Sequence, residues 1–201
     1  MITINEIHTA INDQDHEPAV HDTSASQASV ALIIAEGESG LEICFIRRSE
    51  REDDPWSGHV AFPGGRVEVE DICANTVAER ETKEEIGIHL VENHRIGPLP
   101  IRQIERSAAI ENMVLSPFVY HIGSRDQVVT SCDPMEVAEV FWVPVTHLFD
   151  TESVSDHVFS IRGSNMTFPG IKVGDHIIWG LTLRILGSFA QLMGYESPVN
   201  S

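Results

Sequence analysis

The sequence predicts an α/β domain, or an α+β domain, built on a mixed sheet, and three observations support this. The chain has 201 residues, which is long for one small domain and short for two, so a single domain with a sizeable core is expected. Strand-like apolar runs alternate with segments of helical periodicity. A composition of 42% hydrophobic and 22% charged residues excludes disordered, collagen-like and disulfide-scaffold classes.

The first 27 residues are predicted to form a helix and a polar arm. Ile4, Ile7 and Ile11 recur at helical spacing, which favours a short amphipathic helix. Residues 12–29 are polar and aperiodic, as in a linker. Because no basic segment precedes an apolar core here, we expect no signal peptide. No apolar run approaches the roughly 20 residues of a membrane span.

A β-hairpin and a helix are predicted in the first half of the chain. Residues 30–35 (VALIIA) have a buried-strand pattern, GESG is a turn signal, and residues 41–47 (LEICFIR) form the second strand. Residues 49–58 are a charged loop. A helix is predicted over residues 73–86, and Gly87 ends it. The residues expected to face the core from this helix are Ala74, Val77, Ala78 and Ile86.

The second half is predicted to combine strands with two helices. Pro144 is suited to the first position of a short helix, because its fixed φ matches the helical value. The predicted elements are strands at 113–122 and 137–143, a helix at 144–148, short strands and turns at 156–178, an amphipathic helix at 178–193 and a tail at 196–201.

The net charge and the cysteine pattern limit which binding partners and which kinds of site are expected. With 13 Lys and Arg against 31 Asp and Glu, the formal net charge is −18, so the chain should repel nucleic acids and anionic membranes. An anionic substrate would then need a cationic bridge, for which a divalent metal is the obvious choice. Cys44, Cys73 and Cys132 form no C-x-x-C pair, which argues against zinc and thioredoxin-like sites. Reduced thiols fit a cytoplasmic location.

Three glutamates carry the strongest chemical signal. Glu81, Glu84 and Glu85 lie at i, i+3 and i+4 of the predicted helix and therefore share one face, where they repel one another. That arrangement makes sense if a hard cation such as Mg²⁺ or Mn²⁺ binds there through oxygen ligands.

A solvated acidic surface is the alternative interpretation of this face, and the surroundings argue against it. Arg80 and Glu84 are an ordinary i,i+4 pair, which is typical of a plain surface. However, Gly64 and Gly65 precede the helix, and a diglycine lets the backbone approach a ligand closely. A strand, a glycine-rich loop and a helix in succession would hold the carboxylates rigidly.

Residues 80–88 (RETKEEIGI) resemble the second half of the Nudix box, G-x5-E-x7-R-E-U-x-E-E-x-G-U, where U is aliphatic. Thr82 replaces one aliphatic residue. Gly65 precedes Arg80 by fifteen residues rather than fourteen, and Asp71 stands in for the expected glutamate. This longer spacing with Asp is similar to the coenzyme A pyrophosphatase branch, as are FPGG at residues 62–65 and IWGLT near the C-terminus.

The loop before FPGG departs from that branch. Arg48 and Ser49 match it, but the loop is one residue longer, and Asp53 and Asp54 stand where the branch has a further arginine. ADP-ribose, NADH or another nucleotide therefore stays open as the substrate.

The resemblance implies a Nudix-like α/β/α sandwich around a mixed β-sheet over residues 28–195. It also implies hydrolysis of a pyrophosphate bond with Mg²⁺ or Mn²⁺. By position, Glu81 and Glu85 would be metal ligands and Glu84 a ligand or the base. Arg80 would orient the glutamates, and Gly65 would approach metal or phosphate through its backbone. Gly64 shares that substrate-binding turn.

Further candidates lie outside the box. Arg47, Arg48 and Arg51 could contact substrate phosphate, although solvated loop arginines are an equal alternative. Glu136 or Glu139, beside a strand, could supply another carboxylate or base.

The favoured function is hydrolysis of coenzyme A or acyl-coenzyme A, a small-molecule nucleotide, to 3′,5′-ADP and (acyl-)phosphopantetheine. The same chemistry on ADP-ribose or NADH is one alternative. A nucleotide-binding module without catalysis is another, which the intact Arg80, Glu81, Glu84 and Glu85 disfavour. The N-terminal helix could support a homodimer, although nothing in the sequence requires one.

Overall fold

The computed structural model describes residues 2–13, 26–52, 54, 56–105, 112–128, 130–161 and 164–196. Two sheets and four helices account for most of this part of the chain. The helices are α1 (Ile4–Asn12), α2 (Ala74–Ile86), α3 (Val145–Leu148) and α4 (Gly180–Leu192). The strands are β1 (Ser26–Gly37), β2 (Gly40–Arg48), β3 (Val60–Ala61), β4 (Gly64–Arg66), β5 (Arg95–Pro98), β6 (Arg102–Ile104), β7 (Met113–Ser124), β8 (Val137–Pro144), β9 (Val154–Ile161), β10 (Ser164–Val173) and β11 (His176–Trp179).

The larger sheet has eight strands and is mixed. Its main path runs β3-β2-β1-β7-β5, while β4 pairs with β1, β6 with β7 and β8 with β2. Strands β1 and β7 are parallel, and the other pairs are antiparallel. Strands β9, β10 and β11 form a separate antiparallel sheet.

Both faces of the larger sheet are buried. Successive side chains of β1 point to opposite faces, so this one strand contributes to both packed layers. Leu32 and Ile34 pack on one face with apolar residues of α1 and α4. Ala31 and Ile33 pack on the other with Ala78 of α2. This confirms the α/β/α sandwich around a mixed sheet.

Most predicted elements are confirmed. The hairpin of β1 and β2 turns between Gly37 and Gly40. Helix α2 follows Cys73, and Gly87 ends it in a left-handed conformation with φ 74°. Strands β7 and β8, helix α1 and the short helix after Pro144 occur where expected. None of the described helices has the length and apolarity to cross a bilayer.

Two expectations were wrong in detail. Strand β1 begins at Ser26, so the end of the stretch predicted as a linker pairs with β7, and residues 14–25 lie outside the described residues. Ile178 and Trp179 belong to β11 rather than to the last helix, because they pair with β10. The strands expected within residues 156–178 occur as β9, β10 and β11 of the smaller sheet, while residues 162 and 163 lie outside the described residues.

Candidate active site

Strand β4 brings the diglycine against helix α2. Ser29 and Val30 of β1 pair with Gly65 and Gly64 of β4. The Gly64 N–H donates a hydrogen bond to Oε2 of Glu85 over 2.9 Å. A Cβ on Gly64 would overlap the Ser29 carbonyl oxygen, and one on Gly65 would overlap the Glu81 carboxylate. Glycine is therefore required at Gly64, where φ is 152° and the obstacle is backbone, whereas a side chain at Gly65 would displace the Glu81 carboxylate.

The three helix carboxylates differ in their exposure. Glu85 is 3% exposed, the Glu81 side chain is 15% exposed and the Glu84 side chain is 56% exposed. The fold therefore brings Glu81 and Glu85 together beside the glycines and leaves Glu84 at the solvent-facing edge.

Burial has the largest effect on the pKa values of Glu81 and Glu85, which we call the two inner carboxylates. It raises the pKa of Glu85 to about 8, although the Gly64 N–H partly offsets this, and the charges of Glu81 and Glu136 add to it. Burial also raises the pKa of Glu81, with Arg80 acting in the opposite direction. Because the ionised forms lack solvation, the site favours a bound cation or proton.

Arg80 connects the glutamates to the loop before the helix. Its Nη2 lies 2.9 Å from Oδ2 of Asp71, and its Nε lies 3.2 Å from Oδ1 of the same residue. Its Nη1 donates to Oε1 of Glu81 over 2.9 Å and to Oε2 of Glu84 over 3.1 Å. The hydrogen bonds from Arg80 lower the pKa of Asp71. Asp71 is thus the anchor of this arginine, a contact that its motif position alone did not reveal.

The donor chemistry at Glu81 and Glu85 fits a divalent cation. No group of three or more His, Cys, Asp or Glu side chains in the described part of the chain is arranged to hold a metal ion. Arg80 instead bridges Glu81 and Glu84. Glu85, however, has no ion-pair partner among the described residues. Two shielded carboxylates beside close-packed glycine backbone match the oxygen ligands of Mg²⁺ or Mn²⁺.

Each candidate substrate-binding arginine has an acidic partner. Arg48 Nη2 lies 2.7 Å from Oδ2 of Asp54, and Asp54 also accepts the backbone N–H of Trp56 over 3.0 Å. The charge of Arg48 lowers the pKa of Glu85, which puts it within electrostatic range of the site. Asp53, the other acid of this loop, lies outside the described residues.

The other two arginines are paired more loosely. Arg51 Nη2 lies 3.8 Å from Oε1 of Glu136, and Arg51 Nε donates to the Met135 carbonyl over 2.9 Å. Arg47 Nε lies 3.8 Å from Oε2 of Glu139. Both ion pairs are long, but Nη2 of Arg51 also donates to the Met135 carbonyl, so Arg51 is held more firmly than Arg47.

The two acids outside the helix have different surroundings. The charge of Glu136 acts on both Glu81 and Glu85, so it faces the site. Glu139 instead pairs with Arg47 and, over 3.3 Å, with Nε2 of His176. Of the two candidates, only Glu136 contributes to the electrostatics of the inner carboxylates.

Comparisons with known proteins agree with this architecture. The family profile described as NUDIX domain matches residues 25–160. The human mitochondrial coenzyme A diphosphatase NUDT8 is 30% identical over 154 residues, covering 75% of this chain and 62% of that protein. Its mouse counterpart is 30% identical over 179 residues, covering 87% of this chain and 81% of that protein.

A solved structure supports the fold. The crystal structure of a MutT/nudix family protein from Enterococcus faecalis has a TM-score of 0.58 at 17% identity, covering 98% of this chain and 73% of that one. This chain spans less than two thirds of the length of the human relative. Because the family profile covers more than half of its residues, the chain belongs to the NUDIX family.

Proposed function

We propose that this protein is a metal-dependent pyrophosphatase that hydrolyses coenzyme A or acyl-coenzyme A to 3′,5′-ADP and (acyl-)phosphopantetheine. The observation that carries the proposal is the buried Glu85, held by the Gly64 N–H beside Glu81. The coenzyme A substrate is supported by the names of the human and mouse relatives.

Glu81, Glu85 and the backbone at Gly65 would hold Mg²⁺ or Mn²⁺. When bound, such a cation neutralises charge on the phosphate oxygens and lowers the pKa of a coordinated water. The protein itself contributes rigidity, because Arg80 fixes the Glu81 carboxylate and Gly64 fixes that of Glu85.

A carboxylate must accept the proton of the attacking water. Glu84 and Glu136 are the candidates, because their side chains are 56% and 46% exposed and can reach a solvent molecule. We favour Glu84, since it shares the helix face of Glu81 and Glu85. Arg51 and Arg47 would exchange their acidic partners for substrate phosphate.

A second substrate class is favoured by one contact. Asp54 holds Arg48 at 2.7 Å and partly neutralises it, which weakens recognition of the additional 3′-phosphate of coenzyme A. ADP-ribose or NADH lacks that phosphate and would not need a free Arg48.

A hydrolysis panel tests the proposal. Purified protein with Mg²⁺ or Mn²⁺ would be given coenzyme A, acetyl-coenzyme A, ADP-ribose, NADH and diadenosine polyphosphates, and the products would be separated by chromatography. We expect 3′,5′-ADP from coenzyme A to form fastest. Faster cleavage of ADP-ribose or NADH would replace the substrate assignment and keep the chemistry. No turnover with either metal would indicate a nucleotide-binding module instead.

A further inference from the structure

Five aromatic side chains form a cluster where the smaller sheet lies against strand β3. We call His59, His157, Phe159, Phe168 and Trp179 the aromatic patch. The ring centroid of Trp179 lies 4.9 Å from that of His59, 4.7 Å from His157 and Phe159, and 5.4 Å from Phe168. All five side chains are half-buried, so their rings remain partly open to solvent.

The smaller sheet presents four of these rings on one face. His157 and Phe159 alternate along β9 with the exposed Val158, and His157 pairs with Phe168 of β10. Trp179 pairs with Gly170, which has no side chain of its own to occupy the space beside the indole. The outward face of β9, in contrast, carries exposed Val158.

Strands β2 and β3 link the aromatic patch to the candidate active site. The His59 carbonyl accepts the Arg48 N–H over 3.0 Å, and Val60 pairs with Arg47. The five-residue step from His59 to Gly64 spans at most about 17 Å of extended chain. The charge of Arg48 acts on both Glu85 and His59. A ligand with an anionic end at the glycines can therefore reach the rings with its other end.

The aromatic patch suits a neutral, flat group. Burial lowers the pKa of His59, and the neighbouring His157 lowers it further, while Asp54 opposes them. The His59 ring is therefore an uncharged π surface at neutral pH. Bases stack on such rings, and each stacked base typically contributes a substantial share of nucleotide affinity.

We propose that the aromatic patch binds the purine base of the nucleotide substrate by stacking, with the diphosphate at the carboxylates. This inference rests on the proposed function for the claim that a nucleotide is the substrate. A purine offers two fused rings, which can stack on one ring of the patch while their edges contact the neighbouring rings, whose planes are tilted by 40–61° from that of Trp179.

Tryptophan fluorescence tests the contact without any turnover. The chain has three tryptophans, so Trp56→Phe with Trp142→Phe leaves Trp179 as the sole reporter. AMP, which carries the purine, should quench its emission, whereas ribose 5-phosphate should not. In the matched control, Trp56→Phe with Trp179→Phe leaves Trp142, and AMP should not quench it. Equal quenching in both proteins, or none for Trp179, would overturn the proposal.

Affinity measurements on two variants sharpen the test. Phe168→Leu should weaken AMP binding by about tenfold, the scale of losing one stacking partner, and leave ribose 5-phosphate binding unchanged. Val158→Ala, on the outward face of β9, should change neither. Circular dichroism would establish that each variant is folded.

The outcomes separate this inference from the proposed function. If AMP quenches Trp179 but no substrate is cleaved, binding of the base by the aromatic patch is supported and the enzymatic assignment is contradicted. The opposite result would be cleavage of coenzyme A while AMP leaves Trp179 unaffected and Phe168→Leu binds AMP normally. That result would support the enzymatic assignment and show that the aromatic patch does not bind the base.

Discussion

Glu85 is the residue on which the proposed chemistry most depends. We predict that Glu85→Gln keeps the fold, since the side chain is nearly isosteric, and lowers kcat by about a hundredfold or more, the scale of losing a key electrostatic group. Steady-state hydrolysis of coenzyme A would measure this. Glu92→Gln is a matched control, because the Glu92 side chain is 90% exposed. Near-normal activity of Glu85→Gln would refute its role as a ligand.

The same residue predicts a pH dependence of stability. The pKa of Glu85 rises from 4.5 to about 8 in the folded chain, so its protonated form stabilises the fold fully below about 4.5. As the pH rises from 4.5 towards 8, Glu85 loses its proton in the unfolded chain but keeps it in the folded chain. Over this range the folded state loses stability from this group, on the order of 1 kcal/mol for each pH unit, and the contribution is gone above 8.

Thermal melts in chelator, between pH 5 and pH 8, would check this effect. We expect the wild type to lose more stability over this range than Glu85→Gln, which has no proton to release. The comparison cancels the repulsion caused by the overall charge of −18. Parallel pH profiles for the two proteins would contradict the raised pKa.

At the scale of elements, a half-buried hydrogen-bond network joins helix α2 to the sheet. The hydroxyl of the fully buried Tyr120 donates to Oε1 of Glu79 over 3.2 Å. Asn75 donates to the same oxygen over 3.2 Å, and Arg95 lies 3.4 Å from it. Since Glu79 lies two residues before Glu81, these contacts set how the helix presents its carboxylates.

Removing this hydroxyl should weaken the attachment of the helix. We predict that Tyr120→Phe lowers the free energy of unfolding by about 1–3 kcal/mol, the cost of a buried hydrogen bond to a charged group, and lowers kcat more than it changes KM. Urea titration and steady-state kinetics would measure both. Tyr195→Phe, at an exposed tyrosine, should behave like the wild type. An unchanged Tyr120→Phe protein would show that the network does not position the helix.

The elements differ in how well local sequence predicts them. Helix α2 and the β1–β2 hairpin follow from periodicity and from turn and capping glycines, which are local signals. Ile178 is fully buried and fits either a strand or a helix pattern, so only pairing with β10 decides its state. Strands β5 and β6 have four and three residues, too few to show a period.

In the candidate site, too, the sequence predicts local spacing but not long-range pairing. The spacing of Glu81, Glu84 and Glu85 on one helix face is a local property. The pairing of Arg51 with Glu136, or of Arg47 with Glu139, joins residues from different halves of the chain. No sequence pattern indicates such pairs, and the roles of these site residues stay predictions.

For the whole molecule, helix α1 is part of the core rather than an appendage. Ile7 and Ile11 are almost completely buried and pack in the same cluster as α4. We predict that Ile7→Ala lowers the free energy of unfolding by about 2–5 kcal/mol, measured by urea titration, while Asn5→Ala on the exposed face changes it little. A small effect of Ile7→Ala would mean that α1 is dispensable. A homodimer through this helix stays a prediction.

The parallel pairing of β1 with β7 has a consequence for folding kinetics. These strands come from opposite halves of the chain, and pairing of distant segments is slow, because closing the long loop costs entropy before contacts form. The diglycine strand β4 is held by β1, so the carboxylate site is complete only after that closure. In refolding from urea, helical circular dichroism should therefore recover before the proposed pyrophosphatase activity does.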